Sequence, residues 1–204
     1  MASTSVDKHQ ITGLILAGGK GTRMGSVDKG LQVFRGTPMV EQVLQRLRPQ
    51  VGKLIINANQ HLDTYETLGA PVYPDEFPGF AGPLAGLHSG LMHCETPYLV
   101  TSPCDSPFLP LDLVDKLSAA LMAANVDIAV AVTGESLKQQ RHPVFCLLAR
   151  QLKDDLADYL GSGGRKMDAW FSRQSQVDVW FADESAFANI NTLEELDQWG
   201  FKST

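Results

Sequence analysis

The residues best suited to do chemistry lie in one loop, residues 14–30, with the sequence LILAGGKGTRMGSVDKG. An apolar run ends in two glycines, and the cations Lys20, Arg23 and Lys29 follow. Glycines after a buried strand let backbone N–H groups approach an anion closely. Arg23 offers a bidentate fork to phosphate oxygens, and Lys29 offers a point charge. The loop therefore favours a polyphosphate site over the alternative, a glycine turn with solvated charges.

This loop fits neither of two familiar phosphate-binding motifs. A Walker A sequence, G-x-x-x-x-G-K-[ST], counted from Gly18 or Gly19, would need its second glycine at Arg23 or Met24. The Rossmann fingerprint G-x-G-x-x-G fits Gly19 and Gly21 but then meets Met24. Both mismatches weigh against a P-loop hydrolase and against a dinucleotide-binding enzyme.

A single carboxylate, Asp105, ends the sequence PYLVTSPCD at residues 97–105. Open α/β sheets bind ligands at the carboxyl ends of their strands. One carboxylate with room for water and phosphate oxygens suits Mg²⁺. The spacing alone fits a second role equally well, in which Asp105 caps a helix beginning near Ser106 or Pro107.

Other small or polar residues lie at the ends of predicted elements. Asn57 ends KLIIN and Asp75 ends VYPD, where each residue could bind a ligand or simply make a turn. Gly82 opens the segment GPLAGL, which is predicted to begin a helix. The small residues Ala85 and Gly86 allow close packing there, against either a flat ligand group or the sheet.

The C-terminal third adds weaker candidates. Arg165 and Lys166 lie in the glycine-rich segment GSGGRK, where solvated charge is the usual outcome and a phosphate contact is the alternative. Asn189 and Asn191 belong to NINTLEEL, which also fits the capped start of a helix. His142 precedes a proline and has no assigned role.

The predicted elements that position these residues alternate between strand and helix. Predicted strands cover 11–17, 53–59, 70–75, 97–105, 127–133, 143–149 and 177–182, and predicted helices cover 38–48, 82–93 and 109–125. This alternation predicts an α/β, three-layer domain with a mostly parallel sheet. We expect residues 1–10 to be a flexible segment and residues 11–204 to form a single domain.

Composition limits the kind of protein. The 204 residues are 44% hydrophobic and carry a net charge of −6, which weighs against general nucleic-acid binding. Three cysteines without a CxxC spacing weigh against a disulfide framework or a zinc site. The first ten residues lack a signal-peptide pattern, and no apolar run has the length of a membrane span. We therefore expect a cytoplasmic protein with neither nucleic acid nor membrane as a partner.

Together these stretches resemble the molybdenum cofactor guanylyltransferases. The sequence LAGGKGTRMG followed by DKG is similar to the loop of nucleotidyltransferases with a Rossmann-like α/β sheet. The similarity continues, in the family's order, through INAN, YPD, GPLAGL, SPCDSPFLP, RHPVF and NINTLEEL. It implies the Rossmann-like nucleotidyltransferase fold and transfer of GMP from GTP to the phosphate of molybdopterin, with release of pyrophosphate. The pair LAGG and GPLAG favours guanine over cytosine.

The resemblance also implies roles for individual residues. Lys29, Arg23 and Asp105 are the predicted catalytic residues, with Asp105 as the ligand of Mg²⁺, the expected cofactor. The predicted GTP contacts are Leu16, Ala17, Gly18, Gly19, Lys29, Asn57, Asp75, Gly82 and Asp105. The predicted molybdopterin contacts are Arg165, Lys166, Asn189 and Asn191.

GTP and molybdopterin, with or without molybdenum, are the expected substrates. Transient contact with proteins that deliver molybdopterin or mature molybdoenzymes is a further expectation. Two other classes stay open: a cytidylyl- or sugar-1-phosphate nucleotidyltransferase of the same fold, and a nucleotide-binding regulator without catalytic activity.

Overall fold

The computed structural model describes residues 5–19, 28–77, 82–135 and 138–190. Strands in these ranges are β1 (Ile11–Leu16), β2 (Val33–Phe34), β3 (Thr37–Pro38), β4 (Lys53–Asn57), β5 (Val72–Tyr73), β6 (Tyr98–Pro103), β7 (Ile128–Thr133), β8 (Gln140–Ala149) and β9 (Gln176–Trp180). The α-helices are α1 (Met39–Leu47), α2 (Leu62–Glu66), α3 (Pro83–His93), α4 (Leu113–Ala124), α5 (Lys153–Gly161) and α6 (Met167–Phe171).

Seven of these described strands form one sheet in the order β5-β4-β1-β6-β8-β7-β9. β1 pairs in parallel with both β4 and β6, and β4 pairs in parallel with β5. β8 runs antiparallel to its neighbours β6 and β7, while β9 is parallel to β7. The prediction of an α/β fold with a mostly parallel sheet is therefore confirmed.

The strand order reverses at β1. The chain adds β4 and β5 on one side of β1 and then crosses to add β6 on the other. At such a switch point the connections leave in opposite directions, and a crevice opens at the carboxyl ends of the strands. The loops after β1, β4, β5 and β6 therefore meet at one edge.

Helices cover both faces of the sheet and complete three layers. On one face, α1 and α4 contribute buried residues at helical spacing: Val40, Val43, Leu44, Leu47, Leu113, Val114, Leu117 and Leu121. On the other face, α3, α5 and α6 contribute Leu84, Leu87, Leu91, Leu156, Leu160, Trp170 and Phe171. Successive strand residues alternate between the two cores; Leu14 and Ile15 of β1 are one such pair.

Several predicted element boundaries differ from the structure, and the starts of α4 and β8 differ most. The helix predicted at 109–125 begins at Leu113, because Gln50, in the turn after α1, hydrogen-bonds the chain at the start of this segment. Gln50 Nε2 donates to the Pro110 carbonyl, and Gln50 Oε1 accepts from the Val114 amide, which takes the place of the first helical hydrogen bond. The strand predicted at 143–149 begins at Gln140, because a register shift in β7 lets Gln140 pair with Thr133.

Other elements carried no clear sequence signal. Helices α2, α5 and α6 and the β2–β3 ribbon were not predicted. Residues Lys8–Gln10 form a short 3₁₀ helix directly before β1. Of the helices in the described ranges, none is long and apolar enough to cross a membrane.

Candidate active site

Lys29 and Asp105 meet at the carboxyl edge of the sheet. The Lys29 Nζ atom lies 3.3 Å from Asp105 Oδ2, and the two side chains are 21% and 11% exposed. Burial raises the pKa of Asp105, and the Lys29 charge opposes that rise only in part. The two predicted catalytic residues that the structure describes therefore form a half-buried ion pair; the third, Arg23, lies outside the described residues.

No α-helix begins directly after Asp105 in the described chain; α4 starts at Leu113. The capping role considered for Asp105 is therefore not supported. Its carbonyl instead accepts from the Ile190 amide at 3.0 Å, and the Ser106 hydroxyl donates to Asn189 Oδ1 at 2.5 Å. These contacts bring the predicted molybdopterin contact Asn189 beside Asp105. Asn191 lies outside the described residues.

A network of amide side chains holds Asp75. The Asn57 Nδ2 atom donates to Asp75 Oδ1 at 2.9 Å, and Asn59 Nδ2 donates to Asp75 Oδ2 at 2.9 Å. Asn59 Oδ1 accepts from the Asp75 amide at 2.8 Å, which completes a reciprocal pair. The predicted residues Asn57 and Asp75 thus come together, and each carboxylate oxygen of Asp75 already accepts one bond on the side of β4.

Asn59 was missed by the sequence reasoning. Its Nδ2 atom also donates to the Gly18 carbonyl at 3.1 Å, so Asn59 ties the first loop to the loop after β5. The signal was available in the stretch INAN, whose second asparagine follows the first by two residues. Residues at that spacing lie on one side of an extended chain, and here both point toward Asp75.

Two glycines make room for this network. A Cβ on Gly18 would lie 2.7 Å from Asn59 Nδ2 and 2.9 Å from Asn57 Oδ1. A Cβ on Gly86, in α3, would collide with Asn57 Oδ1 and with the Leu16 side chain. Of the two uses considered for the small residues of GPLAGL, close packing against the sheet is therefore the one observed at Gly86.

The remaining predicted GTP contacts lie around the same edge. The Leu16 carbonyl accepts from the Cys104 amide at 3.1 Å, and the Ala17 amide donates to the Asn57 carbonyl at 2.8 Å. These backbone groups are used inside the sheet, so Gly18 and Gly19 are the described residues of the loop that follow these sheet contacts. Gly19 is exposed, and Gly82 occupies the N-cap of α3 with a φ of +65°.

Arg165 and Lys166 lie in the turn between α5 and α6. An Arg165 guanidinium nitrogen donates to the carbonyls of Leu160 at 2.9 Å and Gly164 at 2.6 Å, which closes the end of α5. The Lys166 side chain is exposed. In this structure Arg165 therefore stabilises a helix end, and its phosphate contact stays a prediction.

A cleft of about 730 Å³ adjoins the Asp105 loop. It is lined by residues from the end of β6, the start of β8 and the segment before Ile190, including Pro103, Arg141, His142, Phe187 and Asn189. His142 Nε2 lies 2.8 Å from the Thr133 hydroxyl oxygen, and its ring stacks on Phe187 with centroids 4.7 Å apart. Burial lowers the pKa of His142, which favours the neutral ring.

Asp105 is the residue at this edge whose chemistry could hold a metal ion. No group of three or more His, Cys, Asp or Glu residues with metal-binding geometry occurs within the ranges that the structure describes. A single buried carboxylate at the sheet edge fits Mg²⁺, which binds through one or two carboxylates and completes its shell with water and phosphate oxygens.

Comparison with known proteins identifies the family. The MobA-like NTP transferase domain matches residues 13–177. Molybdenum cofactor guanylyltransferase of Ralstonia pickettii is 58% identical over 198 residues, which cover 95% of this chain and 97% of that protein. The chain belongs to the molybdenum cofactor guanylyltransferase family. The enzyme of that name from Bordetella petrii is 53% identical over 193 residues, covering 95% of this chain and 98% of the relative. The resemblance stated from the sequence is thus confirmed.

Solved structures of low sequence identity share the fold. Molybdopterin-guanine dinucleotide biosynthesis protein A from Archaeoglobus fulgidus superposes with a TM-score of 0.72 at 22% identity, covering 93% of this chain and 96% of that one. The 4-diphosphocytidyl-2C-methyl-D-erythritol synthase from Anaerococcus prevotii gives 0.73 at 14% identity, covering 92% and 95%. These neighbours confirm the predicted nucleotidyltransferase fold, which is common to enzymes named for different bases.

Proposed function

We propose that this protein transfers GMP from GTP to the phosphate of molybdopterin, giving the guanine dinucleotide cofactor and pyrophosphate. The observation that carries the proposal is the Lys29–Asp105 ion pair at the sheet edge. It lies between the loop and amide network on one side and the cleft near Asn189 on the other. Family membership supports guanine as the base and molybdopterin as the acceptor.

The attacking group is already a charged phosphate, so the reaction needs neither a covalent enzyme intermediate nor a general base. Its oxygen attacks the α-phosphorus of GTP, and pyrophosphate leaves. Catalysis then rests on positioning and on charge neutralisation. Lys29 turns from Asp105 to the phosphates, and Arg23 adds a second cation from the same loop. Asn57 and Asp75 hold the base or ribose, with Gly18 and Gly19 at the phosphates.

We propose Mg²⁺ as the cofactor, with Asp105 as its protein ligand. The raised pKa of Asp105 supports this assignment, because a second cation would offset the carboxylate charge that burial disfavours. When bound, Mg²⁺ would neutralise phosphate charge and stabilise the leaving pyrophosphate. Asp105 also keeps Lys29 at the edge while GTP is absent.

The acceptor would occupy the cleft beside Asp105. Asn189 is held at its wall by Ser106, and the His142–Phe187 pair offers an aromatic surface at which a pterin could lie. Arg165 and Lys166 stay candidates for its phosphate, since Arg141 in the cleft contacts Asp168, two residues after Lys166.

We also propose a cytoplasmic location, in keeping with the buried free thiols of Cys94, Cys104 and Cys146. A transient contact with molybdopterin-delivery or molybdoenzyme-maturation proteins is a further part of the proposal.

Pyrophosphate release tests this function. The purified protein is incubated with Mg²⁺, molybdopterin and either GTP or CTP, and pyrophosphate and the dinucleotide product are measured. We expect release with GTP that requires both molybdopterin and Mg²⁺, and little release with CTP. Release from CTP would favour the cytidylyl alternative, and binding of GTP without any release would favour a regulator.

The role of Lys29 is tested in the same assay. We expect Lys29→Ala to retain the wild-type circular dichroism spectrum and to lower transfer roughly 100-fold, since a positioned charge is worth about 3 kcal/mol in such a site. Lys138→Ala, at an exposed position, serves as the control. An unchanged rate in Lys29→Ala would refute the assignment.

A further inference from the structure

We propose that Tyr65 is a positioning residue for the transfer reaction: its buried hydroxyl fixes the Asp28–Gly30 turn and so holds Lys29 in place. The inference rests on the proposed role of Lys29. It assigns a function to a side chain of α2. Tyr65 was not a candidate from the sequence.

The first observation is the bond between Tyr65 and Asp28. Tyr65 is fully buried in the core on the α1 side of the sheet, and its hydroxyl donates to Asp28 Oδ1 at 2.6 Å. An O–H···O⁻ bond of this length belongs to the strong, charge-assisted class. Burial raises the pKa of Tyr65, so its hydroxyl keeps its proton and stays a donor.

The second observation is that Asp28 closes the turn around Lys29. The same Asp28 Oδ1 atom accepts from the Gly30 amide at 3.1 Å. The Lys29 carbonyl accepts from the Gln32 amide at 3.1 Å. The backbone on both sides of Lys29 is therefore fixed, which limits the positions that the Lys29 side chain can reach.

The third observation is the close packing of this turn on the Asp105 turn. A Cβ on Gly30 would lie 2.5 Å from the Tyr65 hydroxyl oxygen and 3.1 Å from the Cys104 side chain. Gly30 directly follows Lys29, and Cys104 directly precedes Asp105. Tyr65 thus packs against the turn that carries Lys29, where that turn meets the turn that carries Asp105.

The placement favours a role beyond packing. A buried phenylalanine would fill the same core space without removing a hydroxyl from water. Burying a hydroxyl is unfavourable unless it is hydrogen-bonded, and here the bond goes to a loop residue 37 positions earlier in the chain. The bond therefore couples the core to the loop that carries Lys29.

Tyr65→Phe removes only the hydroxyl. For this variant we expect kcat for pyrophosphate release to fall roughly 10-fold, while KM for GTP stays within about twofold, because the contacts from Asn57 and Asp75 remain. A merely structural role would lower the folded fraction and leave kcat per folded molecule unchanged. Tyr98→Phe is the matched control: Tyr98 lies at the opposite end of the sheet, with its hydroxyl oxygen 4.0 Å from the Met122 sulfur.

A second measurement does not depend on the substrate. Acetic anhydride labels lysine amines, and mass spectrometry gives the rate for each lysine. We expect the Lys29 rate to rise roughly threefold in Tyr65→Phe and to stay unchanged in Tyr98→Phe, because a loosened turn exposes the Lys29 amine. If the wild-type protein fails to transfer GMP but this difference appears, the proposed function fails while the positioning role stands.

Asp28 supplies the conservative comparison and a test that does not need Tyr65→Phe to fold. Asp28→Asn keeps an oxygen that can accept from both Tyr65 and Gly30, and Asp28→Ala keeps neither bond. We expect Asp28→Asn to retain several-fold more activity than Asp28→Ala. Equal kcat and equal Lys29 labelling in Tyr65→Phe and Tyr98→Phe would overturn the proposal, as would wild-type values in Asp28→Ala.

Discussion

The buried carboxylate of Asp105 combines a functional position with a cost to stability. Folding raises the pKa of Asp105 because burial disfavours the charge. A carboxyl group with a raised pKa supports the folded state below its unfolded value and loses that contribution as the pH rises through the folded value. We predict that Asp105→Asn raises the urea midpoint at pH 8 and lowers GMP transfer roughly 100-fold.

The comparison between wild type and Asp105→Asn is repeated at lower pH by chemical denaturation. We expect the gap in unfolding free energy to shrink as the pH falls through the raised pKa of Asp105. A variant less stable than wild type at pH 8 would mean that the Lys29 ion pair outweighs the desolvation of Asp105.

Gly18 should be sensitive to one added methyl group. In Gly18→Ala the new Cβ would press on Asn57 and Asn59, which together hold the Asp75 carboxylate. We predict a loss of GTP affinity of roughly 10-fold, which isothermal titration calorimetry measures directly. Gly161→Ala is the control, because a Cβ there meets nothing within 4 Å. Equal affinities in the two variants would show that the network tolerates the displacement.

At the scale of elements, Arg141 links β8 to two neighbours. Its guanidinium donates to Asp178 and Gln176 in β9 and to Asp168 in α6. Two of these partners are exposed carboxylates, so each of these ion pairs alone adds little to the free energy of unfolding. We predict that Arg141→Met lowers the free energy of unfolding by about 1 kcal/mol. Urea denaturation measures the change; Arg150→Met, exposed after the far end of β8, should stay near wild type.

The main residues of the site could be predicted because each lies at or after the carboxyl end of a strand. Lys29 and Asp105 lie after β1 and β6, and Asn57 and Asp75 end or follow β4 and β5, so a parallel sheet places them at one edge. Tyr65 could not be predicted in this way, since α2 spans five residues and is too short to show a helical period. Its partner Asp28 is distant in the chain, and no local pattern joins the two.

For the whole molecule, two histidines link stability to pH: His88 is buried and His142 is half-buried. Burial lowers the pKa of His88 and of His142, and the buried Nδ1 of His88 has no hydrogen-bond partner in the described part of the chain. A lowered pKa means that the unfolded chain takes up the proton first, so stability falls as the pH drops through the ordinary histidine value of 6.5. We predict a lower urea midpoint at pH 5.5 than at pH 7.5.

The double variant His88→Gln and His142→Gln should flatten this pH slope, and His9→Gln, at an exposed position, should leave it unchanged. The raised pKa of Asp105 makes stability fall as the pH rises, which is the opposite trend. Asp105 is therefore kept in every variant whose pH slope is compared. An unaltered slope in the double variant would assign the acid sensitivity to other groups.

The strand order also has a consequence for synthesis of the chain. Ile11 pairs with Tyr98, so β1 gains its second neighbour, β6, only after nearly half of the protein has been made. Closing so long a loop is slow, because the chain loses conformational entropy before the stabilising contacts form. Lys29 meets Asp105 only at that step. A nascent chain that ends before residue 98 therefore carries the glycine loop but lacks its acidic counterpart, and it should retain no GTP.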